Sequence, residues 1–339
     1  MSECHLIKQG YERGSCLTID IDGSKGRACQ VTLRYADNKV YRLVKGAHLS
    51  RPEHYLSIYQ SGCNFSCLKC HSSEFSQKAS GEWLSPDDIV STVMDYSKDI
   101  TYYEPRDRAT AFHAQDLCLS CGRCIYGERS KYCPKALNPE QIVWSPQGWG
   151  PARNIVGFTG GDITCRPEFY EECTKLIKKE IDDIWVLIET NGYGLTPENL
   201  ERLRESGVDS FWLDIKAFDD EIHKKLTGVS NKNILELPYL LKDNDFVFEV
   251  LTLYIPGMVE KDQILKIANI LRDVDRDIPF TILAFFPSYK LSNLRSPTLY
   301  EMIAAYFSVK PVLNNVRLGN IGTFVNTIEE YELVRSITG

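Results

Sequence analysis

The sequence predicts an α/β protein with a partial (β/α)6 barrel, a small β-rich unit before it and a cysteine-rich insertion within it. Three observations predict this class. Apolar strands alternate with amphipathic helices from residue 53 onward. The helices carry clear start signals, and six strand–helix repeats indicate a parallel sheet that is buried on both faces. We therefore divide the chain into a unit at 1–52 and a barrel at 53–339, interrupted at 98–152.

The N-terminal unit alternates apolar and polar side chains with a period of two, which is typical of half-buried strands. The alternation covers Cys16–Ile21, Gln30–Tyr35 and Val40–Val44. Turn residues separate these runs, at Asp22-Gly23-Ser24 and at Asp37-Asn38. The pattern predicts a small antiparallel β unit.

Apolar runs and helix start signals define the barrel. The predicted strands are Tyr55–Gln60, Ile155–Phe158, Ile184–Ile188, Val208–Ile215, Phe246–Tyr254 and Pro279–Phe286. Ser85, Thr196 and Ser296 each supply a capping hydroxyl just before a proline, a combination that starts helices. Gly207 closes the helix that begins after Thr196. Strand and helix thus alternate as a parallel barrel requires.

The segment 98–152 breaks this alternation. It is rich in Tyr, Arg, Pro and Gly, contains four cysteines and ends in a run of turn residues. A short loop-rich segment can be ordered by a bound metal when it has little core of its own. We expect an insertion between the first barrel helix and the second barrel strand, held together by metal.

The composition excludes several functional classes. The chain has 339 residues, a formal net charge of −7 and 12 cysteines. Such a chain has no basic field to release counterions from DNA or RNA, so nucleic-acid binding is not expected. The apolar runs are too short to span a membrane, and the first ten residues contain no apolar signal region. We expect a cytoplasmic protein whose cysteines bind metal or do redox work.

Three cysteines form a compact first group, Cys63-x3-Cys67-x2-Cys70. Gly62 and the polar segment Asn64–Ser66 suit a loop that folds back so that three thiolates converge. Three thiolates can hold a four-iron cluster and leave one iron open for a ligand. The alternative is a zinc site that His71 completes.

Four further cysteines form a second group in the insertion, Cys118-x2-Cys121-x2-Cys124 followed by Cys133-Pro134. The group is close to the bacterial ferredoxin run C-x2-C-x2-C-x3-C-P, with a longer last gap. Only one copy is present, so the fourth cysteine most simply completes the same cluster. A structural zinc site with four cysteines is the alternative. The remaining cysteines are scattered, and we expect structural roles for them: Cys4, Cys16, Cys29, Cys165 and Cys173.

Polar residues follow the predicted strands at their C-terminal ends, where the chemistry of such barrels collects. They are Gly160, Gly161 and Asp162 after the second strand, Glu189 and Asn191 after the third, and Asp214 and Lys216 after the fourth. Adjacent glycines let backbone approach a ligand, and a carboxylate beside a lysine can receive both charges of a zwitterionic amino acid. A period of two places Asp214 and Lys216 on one face of their strand.

In combination, these motifs resemble the radical S-adenosylmethionine (SAM) superfamily over roughly residues 53–325. The first cysteine group is similar to its CxxxCxxC loop, and Gly160–Asp162 is similar to its GGE motif with Asp in place of Glu. Two sets of further segments resemble particular branches. Glu189–Gly192, Asp214–Lys216 and Asp220–Ser230 look like glycyl-radical-enzyme activases of the pyruvate formate-lyase activating type, while Cys63–Cys67, Phe286–Lys290 and Leu318–Gly322 are similar to AmmeMemoRadiSam proteins.

The resemblance implies cofactors and roles for the candidate residues. The first cysteine group would hold a 4Fe–4S cluster whose open iron binds SAM, and the second group would hold an auxiliary 4Fe–4S cluster. Lys216 would face the carboxylate of SAM and Asp162 its amino group. Lys69 departs from the superfamily pattern, which has an aromatic residue before the third cysteine.

The implied activity is reductive cleavage of SAM to a 5′-deoxyadenosyl radical, which abstracts hydrogen from a protein or peptide substrate. Such an oxidoreductase would work anaerobically, with an electron from a ferredoxin or flavodoxin. One alternative is a cobalamin-dependent C-methyltransferase that acts on a protein residue. Another is a metal-binding protein without catalysis. No motif identifies the substrate.

Overall fold

The structure is a computed structural model that describes residues 4–338. The strands are β1 (Leu17–Ile19), β2 (Lys25–Arg27), β3 (Leu33–Ala36), β4 (Lys39–Ser50), β5 (Tyr55–Gln60), β6 (Glu82–Leu84), β7 (Val143–Ser145), β8 (Gly148–Gly150), β9 (Ile155–Gly160), β10 (Trp185–Thr190), β11 (Ser210–Asp214), β12 (Val247–Tyr254), β13 (Phe280–Ala284) and β14 (Val316–Gly319). The α-helices are α1 (His5–Lys8), α2 (Ala28–Val31), α3 (Ser73–Ser76), α4 (Pro86–Ser97), α5 (Glu168–Glu180), α6 (Pro197–Ser206), α7 (Asp220–Thr227), α8 (Lys232–Asp243), α9 (Lys261–Val274), α10 (Leu299–Val309) and α11 (Ile328–Thr338).

The main sheet confirms the predicted partial barrel. β5 pairs in parallel with β9, and β9 to β14 follow one another in parallel and in chain order. The sheet is open, with β14 at one edge and β3 at the other. Every predicted barrel strand overlaps an observed one, and β14 adds a seventh parallel strand. The apolar pattern did not reveal β14 because it has four residues, one of them Arg317.

The N-terminal segment contributes strands to the same sheet. β4 pairs antiparallel with β3, β5 and β6, while β1 and β2 form a separate hairpin. The strand expected at Gln30–Tyr35 begins only at Leu33, because the preceding residues form the helical turn α2. The division of the chain at residue 52 remains a prediction, and the strand pairing joins the two sides of that boundary.

Two of the three predicted helix starts are observed where they were expected, and the third lies slightly later. The Ser85 hydroxyl accepts from the Asp88 amide at the start of α4, and the Thr196 hydroxyl caps α6. Gly207 ends α6 with a φ of +95°. The third cap is Thr298, not Ser296, because Thr298 forms a capping box with Glu301.

The core lies between the sheet and the helices that cover it. Side chains on the strands, such as Phe158 and Phe211, and on the helices, such as Leu203 and Leu271, have no exposed surface. Each such side chain contributes on the order of 1.5–3 kcal/mol on burial. The chain thus has a rigid frame on which loops at the strand ends are positioned.

The insertion packs against the N-terminal ends of the barrel strands. The Trp185 indole at the start of β10 donates to the Glu104 carbonyl at 2.7 Å, and Arg317 in β14 donates to the Phe112 carbonyl. His54, just before β5, contacts Ser120 at 2.8 Å. The second cysteine group therefore lies at the opposite end of the barrel from the first, about 20 Å away along a six-residue strand. No helix among residues 4–338 has the length and apolarity that crossing a membrane needs.

Candidate active site

The loop with the first cysteine group follows β5 directly, and backbone hydrogen bonds fix it on both sides. The Asn64 amide donates to the Asp162 carbonyl at 2.7 Å, and the Leu68 amide donates to the Leu226 carbonyl at 2.8 Å. Gly62 turns the chain into this loop with a φ of +77°. Since these buried amides are satisfied by the barrel, the barrel sets the positions of the thiols.

The adjacent glycines serve backbone packing between two turns. A side chain on Gly161 would come within 2.2 Å of the Gly62 carbonyl oxygen, and one on Gly160 would come within 2.7 Å of the Phe75 ring. The glycine turn after β9 therefore contacts the cysteine loop itself. The close approaches of these glycines in the structure are to protein atoms, and their approach to a ligand stays a prediction.

The three thiols of the first group line one cavity at the C-terminal end of the barrel. The predicted cofactor-binding residues that line it with them are Gly160, Asp162, Glu189, Asn191, Asp214 and Lys216. Burial raises the pKa of the Cys63 thiol, and it raises the pKa of the Cys67 thiol to about 12. The Phe65 amide nitrogen lies 3.4 Å from Cys63 Sγ, and Asn191 Nδ2 lies 3.7 Å from it. Such N–H donors stabilise a thiolate that binds metal.

A buried donor beside the thiols fits a sulfur-rich group at this position. Asn64 Nδ2 is buried without a partner among the described residues, although Asn64 Oδ1 accepts from Asn191 at 2.6 Å. Within residues 4–338, no three His, Cys, Asp or Glu side chains converge on a point where a single metal ion would bind. Ligands of a 4Fe–4S cluster surround a volume, since its irons lie at the corners of a cube.

A larger cavity of about 530 Å³ continues from this site through the barrel. Cys70 and Lys216 line its end at the C-termini of the strands, while Arg51 and Glu53 line its other end, just before β5. Its volume falls within the range of about 300–1,000 Å³ that is typical of small-molecule sites. The site therefore has room for a nucleoside-sized ligand and for part of a second molecule.

Asp214 and Lys216 form an ion pair at the C-terminal end of β11, as the period of two predicted. Burial on its own lowers the pKa of Lys216, but the Asp214 carboxylate and the Cys67 thiol raise it above its ordinary value. Lys216 therefore stays charged beside the cavity. The pair presents one positive and one negative group to the same space.

Glu189 lies inside the barrel and is held by two hydroxyl groups. Tyr55 donates to one carboxylate oxygen at 2.6 Å, and Thr159 donates to the other at 2.5 Å. Burial raises the pKa of Glu189 to about 7, and the two hydroxyl donors oppose that shift. A carboxyl group that changes charge near neutral pH thus lines the cavity.

Asp162 links the turn after β9 to the turn after β10. One carboxylate oxygen accepts from the Thr164 amide and hydroxyl, both at 2.8 Å. The other accepts from the Thr190 hydroxyl at 2.7 Å and from the Asn191 amide at 2.9 Å. Since each oxygen already accepts two hydrogen bonds, the lone pairs of this carboxylate are occupied by protein donors.

Lys69 occupies the position where the resemblance implied an aromatic side chain. Its ammonium lies 3.3 Å from the centre of the Phe286 ring and donates to the Ser288 hydroxyl at 2.6 Å. Burial lowers the pKa of Lys69 to about 8. The aromatic surface at this position thus comes from Phe286, in the loop after β13, with Lys69 packed on it.

The four thiols of the second group also come together. Cys118, Cys121, Cys124 and Cys133 line one pocket in the insertion. Burial raises the pKa of Cys118, and its three neighbouring thiols add to the shift. Cys121 and Cys133 are exposed, so this group reaches the surface.

The cysteines outside the two groups are less scattered than their spacing suggested. Burial raises the pKa of Cys165 most, the Cys29 thiol adds the next largest effect, and Cys16 and Cys4 add smaller ones after Asp162. The Ala28 amide donates to the Cys16 carbonyl at 2.8 Å, which places Cys16 beside Cys29. Cys173 is fully buried in α5.

Three residues near the site were not identified from the sequence. Tyr55 and Thr159 hold Glu189, and Arg42 donates to backbone oxygens of both turns at the site. Strand register could have placed Thr159 beside Glu189, because β9 and β10 are adjacent. Arg42 lies in β4, and its position depends on the antiparallel pairing of β4 with β5, which no local motif signals.

Part of the barrel matches the model of a known family. Residues 119–269 match the model of the radical SAM superfamily. The match covers β9 to β12 and most of the second cysteine group, and it begins after the first cysteine group. A domain of this superfamily implies a 4Fe–4S cluster and SAM. The residues that hold them here remain a proposal.

The chain is also similar to individual relatives and to solved structures. Over 161 residues, 46% of this chain, it is 33% identical to a glycyl-radical enzyme activating enzyme of Methanocaldococcus jannaschii, MJ1632, and the match spans 60% of that relative's length. It is 25% identical over 338 residues to the uncharacterized protein MJ0808 of the same organism, covering 94% of this chain and 81% of that one. A solved domain of a pyruvate formate-lyase-activating enzyme from Bacteroides vulgatus has a TM-score of 0.43 and 17% identity, and covers 49% of this chain and 98% of its own. Residues 119–269 are therefore similar to the radical SAM superfamily, and the relatives of the chain include proteins named as glycyl-radical enzyme activating enzymes.

Proposed function

We propose that this chain cleaves SAM reductively at the first cysteine group and uses the resulting radical to abstract hydrogen from a protein or peptide. The observation that carries the proposal is the convergence on one cavity of three thiols with the Asp214–Lys216 pair and Glu189. The radical SAM domain supports the chemistry, and the named activating-enzyme relatives support a macromolecular substrate.

Cys63, Cys67 and Cys70 would hold the 4Fe–4S cluster as thiolates. When bound, the cluster supplies the single electron that breaks a carbon–sulfur bond of SAM. The protein contributes one buried and two half-buried thiols, and N–H donors that stabilise the thiolate of Cys63. The rigid loop keeps the three thiols in place.

Lys216 and Asp214 would orient the amino-acid part of SAM. Lys216 is charged and can donate to the SAM carboxylate, while Asp214 can accept from its ammonium group. Asp162 was expected to meet that ammonium group, but its oxygens already accept four hydrogen bonds. We therefore assign the ammonium contact to Asp214 and a structural link to Asp162. Asn191 and the two glycines would support the same turns.

The second cysteine group would hold an auxiliary 4Fe–4S cluster at the N-terminal end of the barrel. Its exposed members, Cys121 and Cys133, make it accessible from the surface. This position suits entry of an electron from an external ferredoxin or flavodoxin. A zinc site in the same place would carry no electron, so the metal content distinguishes the two.

The test is turnover of SAM by protein reconstituted with iron and sulfide under anaerobic conditions. After reduction with dithionite, we expect 5′-deoxyadenosine from the unchanged protein and none from Cys67→Ala. Cys173→Ala is the matched control, because Cys173 is also buried but lies outside both groups. Formation of 5′-deoxyadenosine by Cys67→Ala at the unchanged rate would contradict the proposal.

Two outcomes of the same experiment would favour the alternatives. Cobalamin absorbance in anaerobically purified protein, with a methylated product, would favour a C-methyltransferase. Iron or zinc binding without SAM cleavage would favour a metal-binding protein without catalysis. Activation of a glycyl-radical enzyme is then tested with candidate protein partners by electron paramagnetic resonance.

A further inference from the structure

Arg42 is a buried cation that contacts both backbone turns of the first cysteine site. It lies in β4 and has no exposed surface. Its guanidinium donates to the Gly62 carbonyl at 3.2 Å and to the Gly161 carbonyl at 3.4 Å. Gly62 directly precedes Cys63, and Gly161 directly precedes Asp162. One side chain from the N-terminal segment therefore holds the cysteine loop and the glycine turn together.

The other contacts of Arg42 are also to neutral oxygen atoms. The guanidinium donates to the Thr32 hydroxyl at 2.5 Å and to the Gln60 side-chain oxygen at 3.3 Å. Burial lowers the pKa of Arg42, while Asp162 and Cys63 are among the groups that act in the opposite direction. An arginine remains protonated in a protein. The site thus contains a fixed positive charge, and none of the groups that accept a hydrogen bond from it is a carboxylate.

A second fully buried arginine has a different charge environment from Arg42. Arg153 is also fully buried and also donates to backbone carbonyls, but it forms an ion pair with Glu104 at 3.4 Å. It lies at the N-terminal end of the barrel, away from the first cysteine group. A buried charge is strongly destabilising unless an opposite charge compensates it. Arg153 has that compensation from its own protein neighbour.

We propose that Arg42 is a positioning residue whose charge is compensated by the 4Fe–4S cluster of the first cysteine group. This inference rests on the proposed function. Three thiolates make that cluster anionic, and its reduction adds one electron, which the reductant supplies. Net charge and hydrogen bonding near a cluster set its reduction potential. A fixed cation against the turn before Cys63 favours the reduced form, and its hydrogen bonds keep the loop in the binding geometry.

The test measures the midpoint potential of this cluster by a dithionite titration followed by electron paramagnetic resonance. The relevant signal is the one that SAM perturbs when it is added afterwards. We expect Arg42→Gln to shift the midpoint to more negative values, because the cation is lost. Arg42→Lys keeps the charge and should keep the midpoint. Arg153→Gln is the matched control and should also leave it unchanged.

A second measurement uses the metal-free protein and applies even where Arg42→Gln does not fold. In Arg42→Lys we expect the amides of Gly62 and Asn64 to exchange their hydrogen about tenfold faster, because the buried Gly62 and Gly161 carbonyls lose the guanidinium donors that hold the two turns together. Unchanged exchange in Arg42→Lys would overturn the positioning role. The role of the charge would be overturned if folded, iron-loaded Arg42→Gln had the same midpoint potential as the unchanged protein. It would also be overturned if Arg42→Lys shifted the midpoint potential as much as Arg42→Gln does.

Failure of the proposed function would be seen in the iron content instead of the midpoint potential. In that case the unchanged protein and Cys67→Ala would bind the same amount of iron, and both the function and this inference would be rejected. If the unchanged protein binds the cluster and cleaves SAM, only the behaviour of the Arg42 variants decides the inference.

Discussion

Glu249 makes the attachment of the insertion to the barrel sensitive to pH. Its carboxylate is 1% exposed and accepts from the Ala111 amide at 2.6 Å and from the Phe112 amide at 3.0 Å. Burial raises the pKa of Glu249 to about 8, and the two amide donors only partly oppose this shift. The native state therefore keeps a proton between about pH 4.5 and pH 8 that the unfolded chain has lost.

The sign of the pH dependence follows from this proton. Because the native state binds more protons, the free energy of unfolding falls as pH rises through this window, by about 1.4 kcal/mol per pH unit. Glu249→Gln removes the titration, since glutamine is neutral at every pH. From pH 6 to pH 8, the free energy of unfolding of the variant should therefore rise by about 2–3 kcal/mol relative to that of the unchanged protein. Glutamine can accept a hydrogen bond with only one side-chain oxygen, so one of the two hydrogen bonds from the backbone amides is lost. This loss lowers the free energy of unfolding of the variant by the same amount at every pH.

The assay is urea unfolding under anaerobic reducing conditions at several pH values, followed by tryptophan fluorescence. Trp185 and Trp212 pack beside the insertion and report its state. Glu189 also titrates near neutral pH in both proteins, and its charge is among the groups that raise the pKa of Glu249, so the difference between the two proteins reports Glu249 together with this coupling. Glu236→Gln on the exposed face of α8 is the control. Parallel pH profiles for Glu249→Gln and the unchanged protein would refute the reasoning.

Three further predictions concern the site. Lys216→Met should weaken SAM binding roughly 10- to 100-fold in equilibrium dialysis and leave the iron content unchanged, because a charged donor to the carboxylate is lost; equal affinity would contradict its role. Asp162→Asn should lower the free energy of unfolding by about 2–4 kcal/mol in urea, since buried donors lose acceptors; unchanged stability would show that Asp162 does not link the two turns. Cys121→Ala should lose iron from the second group but keep part of the 5′-deoxyadenosine formation that Cys67→Ala loses, and equal loss in both variants would argue against separate roles.

Local sequence patterns were sufficient to predict the strands and helices of the barrel. The strand Tyr55–Gln60 is observed with the predicted bounds, because a short apolar run flanked by turn residues has few alternative structures. Thr196 and Gly207 bound α6 for the same local reason. The C-terminal ends of parallel strands lie at one edge of the sheet. This arrangement brings together Asp214, Lys216 and Glu189 at one end of the barrel.

Features that depend on tertiary pairing could not be predicted in this way. Arg42 reaches the site only because β4 pairs with β5, a contact with no local signal. The hydrogen bonds of Asp162 depend on donors from Thr164 and from the turn after β10, which the motif alone does not indicate. Glu249 is one of the residues that join the insertion to the barrel, and its burial in a strand does not reveal its partners.

The central claim is that Cys63, Cys67 and Cys70 form the site at which SAM is cleaved. The most direct measurement is the yield of 5′-deoxyadenosine from anaerobically reconstituted, dithionite-reduced protein, compared among the unchanged chain, Cys67→Ala and Cys173→Ala. We predict product from the unchanged chain and from Cys173→Ala, and none from Cys67→Ala. Product from all three proteins, or from none of them despite a full complement of iron, would contradict the claim.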